Sequence, residues 1–110
     1  MSTQKVIPRV TVSVAATGTT FDTTITPSDV RVTRYLLEIP NYTNTITTTL
    51  SFIDTNGVTV YAGAAHAQNA NYSVSIDLEL VGSYTMRLTL SGAAGGSALN
   101  AYVTLFGDSD

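Results

Sequence analysis

Hydrophobic and polar residues alternate along most of the chain, and this period of two predicts about eight strand segments. In the first, Val10, Val12 and Val14 share one face, while Thr11 and Ser13 share the other. The remaining segments are predicted over residues 21–25, 30–39, 46–52, 58–62, 71–80, 84–90 and 98–106. Turn-forming Gly, Pro and Asn residues separate them. The pattern predicts an all-β fold, namely a two-sheet antiparallel sandwich or jelly roll, with a small up-and-down barrel as the alternative.

The segment 30–39 changes phase part of the way along. Its core-facing positions have one parity up to Val32 and the other parity from Tyr35 onward. The buried face would therefore flip unless an extra residue were inserted in the strand. We predict a β-bulge near Thr33 and Arg34.

The turn at residues 54–57 sets an expected hairpin register. Its Asn-Gly pair tolerates positive φ, as a tight hairpin turn requires. Keeping Phe52 and Val58 on one face then places Leu50 opposite Val60, so that Val58 and Val60 face inward.

A second turn is predicted at Val81-Gly82-Ser83. It would separate the segment 71–80, whose alternation is uninterrupted, from the segment 84–90. The same parity rule pairs Leu80 with Tyr84 and Asp77 with Arg87.

Other stretches lack the strand pattern. Pro27-Ser28-Asp29 is expected to end the second segment, and residues 63–69 are where a helical turn is expected. Residues 92–97 are rich in glycine and predict a mobile loop, while the acidic tail 107–110 is expected to fray.

The length of 110 residues fits a single β-sandwich domain over residues 1–110. Only 12% of the residues are charged and the net charge is −3, which argues against nucleic acid as a partner. No apolar run is long enough for a membrane-spanning helix. The apolar stretch 10–16 follows Lys5 and Arg9, but its alternating polar residues favour a strand over a secretory signal.

Catalytic chemistry has few candidates in this chain. There is no Cys and one His, His66, and no Gly-x-Ser-x-Gly motif accompanies it, so an exposed loop histidine is the favoured interpretation. Asp77 and Glu79 lie two apart on one strand face, which separates their carboxylates by roughly 7 Å, near the spacing of a glycosidase pair. Neutralisation of Asp77 by Arg87 favours a plain polar face instead. We expect no enzymatic activity.

Metal, phosphate and other cofactor sites are likewise not expected. Asp54 begins a stretch similar to a calcium loop, but Ala65 occupies the position of the bidentate Glu. Gly92, Gly95 and Gly96 precede neither Lys-Ser nor Lys-Thr, nor a predicted helix, so a phosphate loop is not indicated.

Carbohydrate binding would need exposed aromatic platforms. The chain has no Trp, so Tyr42, Tyr61 and Tyr102 are the candidates. Tyr102 and Phe106 are also notable because the last segment is apolar on both faces. Such a strand is covered twice, once by the core and once by a partner chain or a neighbouring loop.

Two stretches carry a resemblance to a known class of protein. They are Ile39-Pro40-Asn41-Tyr42-Thr43-Asn44 before a Thr-rich strand, and the segment 88–96 followed by Val103-Thr104-Leu105-Phe106-Gly107. With the hairpin 54–61 between them, they resemble small β-sandwich structural proteins of tailed bacteriophage virions. The resemblance covers most of residues 39–107.

This resemblance implies a virion component, with capsid decoration or cement as the leading role and tail, neck or baseplate as the alternative. Implied partners are a viral capsid or tail protein and further copies of the chain. The candidate contact residues are Asn41, Tyr42 and His66 in loops, and Tyr102 and Phe106 on the last strand. A small carbohydrate- or receptor-binding module is the rival from a different class, and a hydrolase comes third.

Overall fold

Over residues 3–109, seven strands join into one antiparallel sheet. The structure, a computed structural model, describes residues 3–109. The strands are β1 (Thr3–Val14), β2 (Thr20–Ile39), β3 (Thr47–Ile53), β4 (Thr59–Ala62), β5 (His66–Ala67), β6 (Ala70–Leu90) and β7 (Leu99–Ser109). Their order in the sheet is β1-β7-β2-β6-β3-β4, with β5 also paired to β3. The predicted all-β fold is confirmed. Among the described residues, no helix has the length and apolarity needed to cross a membrane.

Strands β2 and β6 are each longer than the sequence predicts. β2 runs through Pro27 and merges the segments 21–25 and 30–39, while β6 runs through Gly82 and merges the segments 71–80 and 84–90. Ser28 lies opposite Gly82, where the ladder shifts register and Gly82 adopts a φ of 89°. The register shift of β2 and the turn-like backbone of Gly82 in β6 face each other, so the ladder continues on both sides of them.

The expected hairpin at Val81-Gly82-Ser83 is therefore wrong. Leu80 pairs with Val30 rather than with Tyr84, and Tyr84 pairs with Ile25. The bulge predicted near Thr33 and Arg34 is confirmed, since the ladders of β2 with both β6 and β7 shift between Val32 and Arg34.

The long β2–β6 pair runs through two halves of the folded sheet. In the β7 half, β1, β7, residues 31–38 of β2 and residues 70–79 of β6 lie side by side. In the β3 half, residues 20–25 of β2 and 84–90 of β6 continue into β3, β4 and β5. The bulges between the halves allow strands to pass from one layer to the other.

The inner faces of the two halves share one hydrophobic core. Tyr35 of β2 reaches across from the β7 half to Tyr61 of β4, with their hydroxyl oxygens 3.1 Å apart. The ring centroids are 6.0 Å apart at an interplanar angle of 75°, an edge-to-face contact that favours aromatic packing. The sandwich-like layering thus arises within one continuous sheet.

The β3–β4 hairpin has a different register from the predicted one. Phe52 lies opposite Tyr61, and the ladder shifts between Phe52 and Ile53. This shift reverses the faces of β4, so Tyr61 turns toward the core while Val58 and Val60 remain 56% and 39% exposed. The predicted Leu50–Val60 pair and the inward placement of both valines are wrong.

Two loops and the acidic tail also depart from expectation. The segment 63–69 contains the short strand β5 and no helical turn. The glycine-rich segment 92–97 is tied down, because the Gly95 amide donates to the Ala16 carbonyl and the Asn44 amide to that of Ala94. The tail is paired through Ser109 with the start of β1 and does not fray there, while Asp110 lies outside the described residues.

Candidate functional site

The outer face of β7 carries Tyr102 and Phe106, two of the predicted contact residues. The Arg9 guanidinium carbon lies 3.6 Å from the centroid of the Tyr102 ring, and that of Arg34 lies 3.9 Å from the Phe106 centroid. Exposed cation–π contacts of this kind contribute about 0.5–1 kcal/mol each. The second apolar face of this strand is thus covered by arginines from β1 and β2, which the alternation alone does not reveal. We call these four residues the arginine–aromatic face.

Further contacts hold both arginines in place. Arg9 Nη2 lies 3.1 Å from Glu38 Oε2, and Arg34 Nη1 donates to Ser73 Oγ over 3.1 Å. The two guanidinium groups of the arginine–aromatic face therefore already have polar partners within the chain, and its two aromatic rings lie beneath them.

A pocket of about 170 Å³ opens at one end of this face. Its lining includes Arg9, Glu38, Pro40, Asn71, Asn100 and Tyr102. The two amides, the carboxylate and the tyrosine offer hydrogen-bond donors and acceptors of the kind that polar ligands use.

The carboxylates considered for catalysis are bound to arginine. Asp77 Oδ1 lies 2.7 Å and Glu79 Oε2 3.4 Å from the Arg31 guanidinium. The predicted Asp77–Arg87 pair is wrong because β6 continues past Gly82, which puts Arg87 opposite Asp22 instead. The hydrogen bonds from Arg87, 2.8 and 3.0 Å long, lower the pKa of Asp22. Arg31 thus bridges both carboxylates on an exposed face, where such ion pairs contribute little to stability.

Asn41 and His66 lie at loop positions that Gln68 connects. Gln68 Nε2 donates to Asn41 Oδ1 over 3.2 Å and to the Tyr42 carbonyl over 2.8 Å, while its Oε1 accepts from the Ile46 amide. His66 stacks on Tyr72 with ring centroids 4.3 Å apart. Sequence reasoning missed Gln68, since nothing in the alternation marks a side chain that organises a loop.

Tyr42 is not an exposed loop residue. Its side chain is buried at 3% exposure, because residues 40–44 fold over the core, and it cannot present its ring to a partner in this conformation. Neither its hydroxyl nor that of the buried Thr48 has a hydrogen-bond partner of good geometry, and the nearby Thr48 hydroxyl lowers the pKa of Tyr42 by less than burial raises it. Burial is the larger effect and raises the pKa of Tyr42.

We expect Tyr35 and Tyr42 to lose their hydroxyl protons only at an unusually high pH. Burial raises the pKa of both Tyr35 and Tyr42 above the ordinary value of 10.0. Because the unfolded chain loses these protons first, folding stability is complete below pH 10 and falls as the pH rises further, by about 1.4 kcal/mol per pH unit for each group. Near-ultraviolet absorbance during alkaline titration measures both the ionisation and the unfolding.

The variant Tyr42→Phe is the control for this titration. It should remove one late-titrating group and leave stability unchanged or slightly raised, since the lost hydroxyl has no hydrogen bond. Ionisation of Tyr35 and Tyr42 near pH 10 in the folded protein would contradict their burial.

The hairpin 54–57 and the remaining aromatic candidate serve structural roles. Asp54 Oδ1 accepts from the Asn56 and Val58 amides, both over 2.9 Å, so the carboxylate closes the turn. Among residues 3–109, no group of three or more His, Asp or Glu side chains is placed to hold a metal ion. Tyr61, considered as a sugar platform, packs against Phe52 with centroids 5.9 Å apart.

The first half of β6 has an unpaired side. Over residues 70–79, β6 pairs with β2 alone among the described strands, since β3 pairs only from Thr85 onward. We call this the open β6 edge. Its inward row is partly buried against the core and partly exposed at the edge, and consists of Tyr72, Val74, Ile76 and Leu78. The predicted alternation of this segment is confirmed, but alternation does not show which side lacks a partner.

Comparison with known proteins gives distant structural likenesses. No family model and no curated protein matches the chain. The structure of the infectious bursal disease virus Gx strain is similar at 13% identity and a TM-score of 0.44, covering 97% of this chain and 32% of that chain. The VP2 subviral particle of infectious bursal disease virus is similar at 14% identity and a TM-score of 0.34, covering 93% and 33%.

Dimeric latent PorU from Porphyromonas gingivalis is also similar, at 14% identity and a TM-score of 0.35, covering 94% of this chain and 10% of that chain. The chain therefore spans about a third of the length of the viral chains and a tenth of PorU. At these scores the likenesses carry no argument about function.

Proposed function

We propose that the chain is a non-enzymatic structural protein of a virion that works by association, with capsid decoration or cement as its role. The observation that carries this proposal is an unpaired strand edge, flanked by partly exposed apolar side chains, on a surface where Arg9, Arg31 and Arg87 are paired with carboxylates. Open edges and apolar rows are surfaces on which protein partners add. The resemblance of residues 39–107 to small virion proteins of tailed phages supports the same role.

Hydrogen bonds and ion pairs within the chain favour association, because fewer isolated basic groups must lose water when a partner binds. All five basic side chains have partners within the chain. The pairs are Lys5 with the Pro27 carbonyl, Arg9 with Glu38, Arg31 with Asp77 and Glu79, Arg34 with Ser73, and Arg87 with Asp22. A surface of this kind suits a protein partner better than a polyanion.

Localisation on particles tests this proposal. Virus particles produced by cells that express the chain would be purified, labelled with an antibody against it and viewed by electron microscopy. Labelling over the head supports decoration or cement, whereas labelling confined to the neck, tail or baseplate supports that location instead. Unlabelled particles, together with no co-sedimentation of added protein, would contradict a virion role.

A carbohydrate- or receptor-binding module is the second candidate, and the pocket beside Tyr102 is the observation that favours it. Its amides and carboxylate suit sugar hydroxyls, although Arg9 already covers the ring on which a sugar would stack. Glycan-array binding that Tyr102→Ala abolishes and Tyr61→Phe leaves intact would support this candidate. An array without binding would count against it.

A further inference from the structure

We propose that two copies of this chain pair through the open β6 edge, antiparallel and about a two-fold axis at Ser75. This inference deepens the proposed structural role and rests on that role for its biological meaning. A second copy extends the β7 half of one subunit into that of the other, so that the two form a continuous sheet.

The other edges are protected in ways that this one is not. β1 contains Lys5, Pro8 and a register shift between Ile7 and Val10, which discourage a further strand. β4 has only four residues. Residues 70–80 of β6 contain no Pro, Gly or Lys, and their inward and outward side chains alternate without a break, although the ladder with β2 shifts register opposite residues 76 and 77. A native edge with these properties is expected to be paired.

The register follows from the two faces of the strand. Antiparallel partners point to the same side of a sheet, so an axis through any one residue keeps inward residues opposite inward residues. Ser75 is the middle of residues 70–80, so an axis there pairs the whole open edge. Val74 then meets Ile76 of the partner subunit, and Tyr72 meets Leu78 of the partner subunit. Each residue of the partly exposed apolar row then has an apolar neighbour across the interface, while the Tyr72 ring keeps its stacking contact with His66. An axis at Asp77 would instead place this carboxylate directly opposite its own copy, and such a pair of like charges is unfavourable.

The outer face also favours the axis at Ser75. Ser73 faces Asp77 of the partner subunit in this register. Arg34 Nη1 already lies 3.1 Å from Ser73 Oγ, so its positive charge is next to the incoming carboxylate. The Asp77 side chain remains 75% exposed although it is paired with Arg31, which leaves it accessible to a second cation.

This arrangement would place two arginine–aromatic faces on the same side of one wide sheet. The two-fold axis runs perpendicular to the sheet, so outer faces stay together and inner faces stay together. A doubled outer face gives a capsid partner two identical contact surfaces per dimer, which strengthens binding through avidity.

Charge placed at the axis tests the pairing. The wild-type mass would be measured by light scattering and sedimentation equilibrium over a range of concentrations, where a dimer is expected. Ser75 is exposed on the outer face, so Ser75→Lys should leave the monomer folded by circular dichroism. In the dimer, the two introduced lysines would face each other across the axis. Their repulsion should raise the dimer dissociation constant about tenfold or more.

Thr11→Lys is the matched control. It adds the same charge to the exposed outer face of the other long edge strand, β1, and should leave the dimer intact. A wild-type protein that is monomeric at every concentration, or a dimer that Thr11→Lys breaks and Ser75→Lys does not, would overturn the inference. If such a monomer still labels particles, the virion role stands while this pairing fails. A dimer that Ser75→Lys breaks but that labels no particle supports the pairing and contradicts the role.

Discussion

Replacement of Gly107 by alanine is expected to lower the free energy of unfolding by about 3 kcal/mol or more. Gly107 is buried in β7, where the backbone of β2 crosses closely next to the bulge at Val32. A Cβ atom there would fall inside van der Waals contact of the Arg31 carbonyl oxygen and within 3.0 Å of Val32 Cα. Both are backbone atoms, so no side chain can rotate away and the two strands must separate.

Urea denaturation of Gly107→Ala and Gly92→Ala measures this effect. A Cβ on Gly92 meets only the Ile46 side chain at 3.6 Å, an ordinary contact, so Gly92→Ala should change stability little. Equal, small effects of the two substitutions would mean that β7 does not approach β2 as described.

Truncation of Phe52 to alanine should destabilise the chain by about 3–5 kcal/mol. Phe52 is fully buried and contacts Tyr61, which in turn meets Tyr35 of the opposite half of the sheet. Removing the ring leaves a cavity where the two halves meet, and packed neighbours close such a cavity only in part.

Val58→Ala is the control for Phe52→Ala, because the register expected from the sequence, with Leu50 opposite Val60, would bury both Phe52 and Val58. Val58 is 56% exposed, so its truncation should change stability by less than about 0.5 kcal/mol. A large loss from Val58→Ala in thermal or urea unfolding would favour the register with Val58 inside.

The alternation predicted local strand faces well because burial of one face imposes a period of two within a strand. The inward row of β6 and the bulge after Val32 are both visible in the sequence for this reason. The continuity of β6 was not predictable from local chemistry. Gly82 has the residue type and the φ of a turn, and only its position opposite Ser28 makes it a bulge within a long strand.

The candidate site was predictable only in part, because it depends on which strands are neighbours. Tyr102 and Phe106 are recognisable as outward aromatic residues, but their cover comes from Arg9 and Arg34 on two other strands. Tyr42 follows a turn-like cluster, yet the loop folds inward and buries it. The open β6 edge follows from the strand order, which alternation does not encode.

The open edge and the ion pairs of the sheet both depend on β6 being one continuous strand. Cross-strand nuclear Overhauser effects between backbone protons of β6 and β2 test this continuity most directly. For a continuous β6 we expect contacts of Arg87 with Asp22 and of Glu79 with Arg31. Contacts of Leu80 with Tyr84 and of Asp77 with Arg87 would show a hairpin at Gly82, and would contradict that continuity.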